Sequence, residues 1–167
     1  PYTLRSGRRL FERPHIRPLF DLLSFISGDE IALENATILE IFEGIGPRSS
    51  QEIISQIKRL GSFQNWVQHE PEHIDVPARL RDPIIRVHSC LRSIFEALKL
   101  PLFQCLTQMR KSVLDPWIRR SFDDADSRMK DLVDCIRMSL DFAEPTDFLD
   151  ALTLASDTVR QDQGVVL

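Results

Sequence analysis

What this sequence lacks is any motif that carries chemistry by itself. It holds only three cysteines, Cys90, Cys105 and Cys135, an odd number with no C-x-x-C spacing. That excludes a disulfide framework, and the thiols are expected to be small core hydrophobes of an intracellular, cytoplasmic protein. There is no GK[ST] phosphate loop, no signal peptide, and no apolar run near the roughly 20 residues that span a bilayer. Alternating apolar and polar residues never continue long enough for a strand, and Val165 to Leu167 is too short and too terminal to argue from. No internal repeat is visible, which excludes a regular solenoid. A chain opening on Pro1 is expected to be a segment of a longer protein, or to have lost its first residues.

What is present is ordinary globular composition: 167 residues, 43% hydrophobic and 28% charged. A chain of that size buries roughly 70% of the surface its unfolded form exposes, so one core is enough. The net charge of -4 conceals an asymmetry. Arg5, Arg8, Arg9, Arg13 and Arg17 face only Glu12 within the first 20 residues, and the rest of the chain is acidic. Such an arm suits nucleic-acid phosphates or lipid headgroups. A leader lying back on the acidic body is the preferred reading, because the arm has no lysine run and Pro14 and Pro18 keep it from forming one basic helix.

Helical periodicity is strongest from Pro83 to Leu98, where Ile84, Val87, Leu91, Ile94, Phe95 and Leu98 draw one apolar stripe. Asp82 as N-cap and Pro83 at the first helical position are expected to open that helix. Before it, Leu19 to Ser27 predicts a short apolar helix stopped by Gly28, and Asp29 caps a second helix reaching Glu43. The Asn35-Ala36-Thr37 sequon falls inside that second helix and is set aside. Gly44 to Ser50 is the one glycine-rich loop, running into a capping box of Ser49 and Glu52 and a helix over Ser50 to Leu60 that ends at Gly61. Its backbone N-H groups and Arg48 suit an anion, but an inter-helix turn explains them as well. Phe63, Trp66 and Val67 are expected core anchors. Pro101 opens a helix to about Leu114, Asp115-Pro116 predicts a kink or a break, and Ser121 with Asp124 starts a long helix. Its stripe is Ala125, Met129, Leu132, Ile136, Leu140 and Ala143, and a last helix follows Pro145 and Thr146 to Val159.

Catalytic constellations do not survive geometry. His69 and His73 are separated by Pro71, which prevents a regular helix from aligning them on a metal. Asp123, Asp124 and Asp126 open a helix, where negative charge favours the dipole. His88 and Cys90 are two apart and point in different directions; His88 reads as a core-edge residue with one satisfied nitrogen. The reading is an enzyme-free chain with no catalytic, cofactor-binding or metal residues.

Residues 82 to 143, with RVHSCLRSIFEAL, a middle helix and WIRRSFDDADSRMKDLVDCIRMSLDFA, resemble the N-terminal helical bundle of mixed-lineage-kinase-like pseudokinases and related innate-immunity proteins. The resemblance covers about a third of the chain. It implies a non-enzymatic signalling module that oligomerises or engages membrane lipid. The segment before residue 82 departs from it, with extra short helices and a proline connector.

The expected architecture is all-α, an irregular bundle of about seven helices with no sheet. It comprises a basic arm (1-18), an N-terminal helical group (19-68), a proline-containing connector (69-82), a C-terminal bundle (83-159) and a tail (160-167), together one folded domain. The leading expectation is a non-catalytic adaptor or regulatory domain of a larger protein that binds a protein partner. The alternative is an oligomerising or lipid-engaging bundle of the cell-death type. Its contacts to an anionic membrane surface would come from Arg5, Arg8, Arg9, Arg13, Arg17, Arg48, Arg119 and Arg120. Nucleic acid is not expected, given the acidic body.

Overall fold

The computed structural model describes residues 13-70 and 78-151, and among them it is all-helical. Helix α1 (Arg17-Ile26) starts on Pro18 and buries Leu19, Leu22, Leu23, Phe25 and Ile26. It ends in a paired closure, Gly28 N-H to the Phe25 carbonyl and Asp29 N-H to the Ser24 carbonyl, at 3.2 and 3.1 Å. Gly28 takes φ +82° to make that turn, the left-handed conformation that a Cβ penalises. Asp29 then caps α2 (Glu30-Glu34), its Oδ1 accepting from Ile31 and Ala32 N-H at 2.9 and 3.0 Å.

The expected single helix from Asp29 to Glu43 is instead broken at Asn35. Its side chain accepts from the Thr37 N-H at 3.3 Å, and a 3-10 helix (Ala36-Ile41) follows. A short amide side chain that captures a nearby backbone donor competes with the helix, and here it wins. The sequon asparagine therefore lies between helices rather than inside one.

Helix α3 (Pro47-Arg59) also differs at its start. Pro47 opens it with Gly46 extended as N-cap, two residues ahead of the expected capping box. Ser50 Oγ donates to the Gly46 carbonyl at 3.1 Å, and Glu52 accepts from the Gln56 amide at 3.1 Å, so no box forms between Ser49 and Glu52. Gly61, at φ +85°, closes the helix as expected. Ser62 Oγ accepts from the Asn65 N-H to begin α4 (Phe63-Gln68), which buries Phe63, Trp66 and Val67.

The longest helix, α5 (Ala78-Ala97), begins five residues before Pro83. A proline so near the N-terminus removes only the bond to the carbonyl of residue 79, which explains why the helix tolerates it. Ile84, Val87, Leu91 and Ile94 are buried along its inner face, with His88 and Ala97, while Phe95 and Leu98 pack at the edge. Then α6 (Leu102-Met109), a π turn (Arg110-Leu114) and α7 (Asp115-Ser121) run on as one helical path. Of the kink or break expected at Asp115-Pro116, the break is absent and Asp115 is helical at φ -60° and ψ -47°, with the irregularity confined to the π turn before it. Its N-H reaches back to the Arg110 carbonyl, and the widened turn accommodates the proline ring without stopping the helix.

Phe122, extended at φ -139°, separates α7 from α8 (Ala125-Arg137). The long helix expected to reach Ala143 stops at Arg137 and tightens into a 3-10 turn (Met138-Asp141). That tightening turns Ser139 inward, where its hydroxyl donates to the Ile136 carbonyl, and leaves Leu140 64% exposed. Residues 145-151 are again helical, and the remainder of the helix expected to reach Val159 lies outside the described residues. Nine α-helices are present among the described residues, α1 to α8 and residues 145-151, against the seven or so expected.

These helices share one hydrophobic core. The inner face of α5 packs on α4 and α6 and also meets α1 and α3. Phe63 is the hinge of an aromatic row, 5.3 Å from Phe25 and 5.8 Å from Phe95 between ring centres. Of the two neighbours expected for α5, α6 is one; α8 packs instead against α6 and α7. Phe148 meets Phe20 and Phe142, joining residues 145-151 to α1.

Replacing fully buried Leu91 by Ala is expected to cost about 2–5 kcal/mol in urea unfolding. Replacing exposed Ile31 by Ala should change stability by less than about 0.5 kcal/mol.

Candidate functional site

Three places concentrate polar or accessible features. The first is a knot that ties the segment before α1 to α8. His15 is buried, and both ring nitrogens are engaged: Nε2 with Asp131 Oδ2 at 3.1 Å and Nδ1 with Arg128 Nη1 at 2.9 Å. A guanidinium can only donate, so Nδ1 accepts and Nε2-H donates to the carboxylate. Arg13 also pairs with Asp131, and Arg128 Nε donates to Asp124 at 2.6 Å. The Arg128 guanidinium lies 4.1 Å over the Phe122 ring, which in turn meets Trp117 edge-on at 5.4 Å. Burial holds the His15 imidazole below the usual histidine value; the bond to Asp131 pulls it up, and Arg128 and Arg13 push it down.

The second place is interior. The Trp66 indole donates to Gln56 Oε1 at 3.2 Å, and His88 Nε2 lies 3.0 Å from the Trp66 carbonyl. His88 is fully buried and stacks edge-on against Trp66 with ring centres 4.7 Å apart. Since a carbonyl only accepts, Nε2 carries the proton, and Nδ1 has no hydrogen-bond partner among the described residues. Burial lowers this imidazole too. The sequence reading of one satisfied nitrogen holds, though the ring is in the core rather than at its edge.

The third is a cleft of about 320 Å³ at the joint between α5 and α6. Leu98, Leu100, Pro101, Leu102, Ala143 and Pro145 line it, together with Lys99, Glu144 and Cys105. Leu100 is 47% exposed there. Burial pushes the Cys105 thiol up to about 11, so it stays protonated at neutral pH. Cys135 is pushed further, to about 12, and both behave as core thiols.

The expected anion contacts are scattered among these features. Arg5, Arg8 and Arg9 lie outside the described residues, as does His73. Arg13 belongs to the knot, and Arg17 faces Asp21 at 3.5 Å. Arg120 donates to the Ile41 carbonyl at 3.0 Å and lies 3.9 Å from Glu43, bridging α7 to the 3-10 helix. Arg48 and Arg119 are exposed. Among the described residues no His, Cys, Asp or Glu group is arranged for a metal, and no helix is long and apolar enough to cross a membrane.

Sequence reasoning missed the knot entirely. The Asp124–Arg128 pair at i, i+4 was readable, but His15 reaches Asp131 across 116 positions, which no local pattern encodes. No protein-family model, no curated protein and no solved structure matches the chain.

Both buried imidazoles set a pH dependence. Their folded pKa values lie below the 6.5 of the unfolded chain, so below that pH the unfolded state binds more protons and stability falls. Asp21 and Asp115 are raised by burial above 3.8 and act in the opposite sense, offsetting part of the loss at more acid pH. Urea midpoints should therefore drop between about pH 7.5 and 5.5, and His88→Gln should flatten that drop. An unchanged slope in this variant would show that His88 is not the source.

Proposed function

We propose that this chain is a non-catalytic protein-interaction domain, and that the cleft at the α5-α6 joint receives a short apolar segment of a partner protein. The observation that carries this reading is Leu100, a large apolar side chain about half exposed on the wall of a cleft whose leucine, proline and alanine side chains are joined by the polar Lys99 and Glu144 and by Cys105. Protein surfaces place exposed anchors of this kind beside concave apolar pockets where another chain docks. Pro101 and Pro145 stiffen the two walls, which lowers the ordering cost of binding.

Two further features support it. The titratable groups of the knot are closed on one another, with both nitrogens of His15 occupied. Arg13, Arg17 and Arg120 are each answered within the molecule, which favours a protein partner over an anionic lipid surface.

Panning displayed short peptides against the protein tests the reading. Selected peptides should perturb amide resonances of residues 98-102 and 143-145. Leu100→Glu should weaken them roughly tenfold or more, the range of an anchor residue, while Ile31→Glu leaves affinity unchanged. Peptides that bind equally well to the Leu100→Glu variant, or no binders at all, would contradict it.

A further inference from the structure

We propose that the His15 knot is an acid-released clasp: a proton taken from solvent onto Nδ1 sets an N-H against the Arg128 guanidinium, breaks that bond and frees residues 13-16 from α8.

In the neutral ring Nδ1 offers the one lone pair available to Arg128, whose Nη1 lies 2.9 Å away. Once Nδ1 is protonated, two donors and two positive charges face each other at hydrogen-bond distance. The other charged groups around the ring do not restore the balance in full. Asp131 favours the imidazolium through its 3.1 Å contact, but that carboxylate already pairs with Arg13, and Arg13 is itself a cation beside the ring. Asp124 also lies close enough to feel the ring's charge, but it is committed to Arg128, which it holds at 2.6 Å and so keeps in place. The remaining neighbour, Phe122, is an uncharged ring 6.5 Å away. His15 is also too buried for water to screen the clash.

The consequence is local. Between Arg13 and α1 the backbone is held by Ile16 N-H and Arg17 N-H, both donating to the Arg13 carbonyl at 2.9 and 3.1 Å. When the side chains of Arg13 and His15 let go of α8, that turn keeps the buried Ile16 side chain but loses its polar anchors, while α1 stays attached through Leu19, Leu22 and Leu23. The released segment leads in sequence directly to Arg5, Arg8 and Arg9. The clasp is independent of the cleft and of the partner-binding reading.

The test is NMR on the full chain. The His15 ring should show the Nε2-H tautomer near pH 7.5 and titrate below the ordinary 6.5. Amide exchange of Ile16 and Arg17, corrected for intrinsic rate, should lose protection by roughly tenfold per pH unit through that titration, whereas α5 amides lose less. In His15→Gln, which does not titrate, the Ile16 and Arg17 protection should no longer depend on pH. Should that variant fail to fold, the native protein still decides. A His15 titration above 6.5, or Ile16 and Arg17 protection that tracks α5 at every pH, would overturn the clasp.

Discussion

Burial of one face of α5 is the constraint from which the rest of the structure follows. Ile84, Val87, Leu91 and Ile94 recur at three and four residues and are 2% exposed or less, so their helix cannot stand without cover on that side. The cover comes from both halves of the chain. Helices α1, α3 and α4 precede the proline-containing segment, and α6 follows α5, yet all of them meet the same stripe. Burying such side chains contributes roughly 1.5–3 kcal/mol each, against roughly 0.5–1.5 kcal/mol for a typical neutral hydrogen bond. The polar groups accordingly adjust to the packing. Enclosure against Trp66 holds the His88 imidazole below its ordinary pKa, and burial likewise keeps the thiols of Cys105 and Cys135 protonated at neutral pH.

Around this core, side chains of opposite charge fasten the outer elements. Arg120 joins α7 to the 3-10 helix through a backbone carbonyl, and the knot of Arg13, His15, Arg128 and Asp131 joins the start of the described chain to α8. Exposed ion pairs of this kind contribute little individually. The knot differs because its central imidazole is buried and its two nitrogens have opposite roles, one donating and one accepting. That makes it directional, and it is the reason a single proton matters there. The cleft at the α5-α6 joint has the contrasting character, an apolar wall with Leu100 left uncovered.

Local signals in the sequence carried most of the fold. The α5 stripe, the stops at Gly28 and Gly61 and the cap at Asp29 each depend on residues within one helical turn, and each was readable. Errors arose where two local rules competed. Asn35 looked like a helix interior until its amide captured the Thr37 N-H, and Pro116 looked like a break until the π turn before it absorbed the ring. Leu140 fitted the α8 stripe by period, but a 3-10 turn shifted the phase and brought Ser139 inside. The candidate sites were less legible. Leu100 was not singled out at all, and the knot joins residues more than a hundred positions apart, where spacing has nothing to say.

The central claim is that one core couples the two halves of the chain, and the two tryptophans sit where they can test it. Trp66 belongs to α4, ahead of the proline-containing segment, and Trp117 to α7, beyond it. Labelled with 5-fluorotryptophan and assigned through single Trp→Phe variants, the two resonances report each half separately during urea unfolding. The account predicts one transition, with the same midpoint and the same slope at both positions. Two separated transitions, with Trp66 released while Trp117 remains native or the reverse, would contradict it.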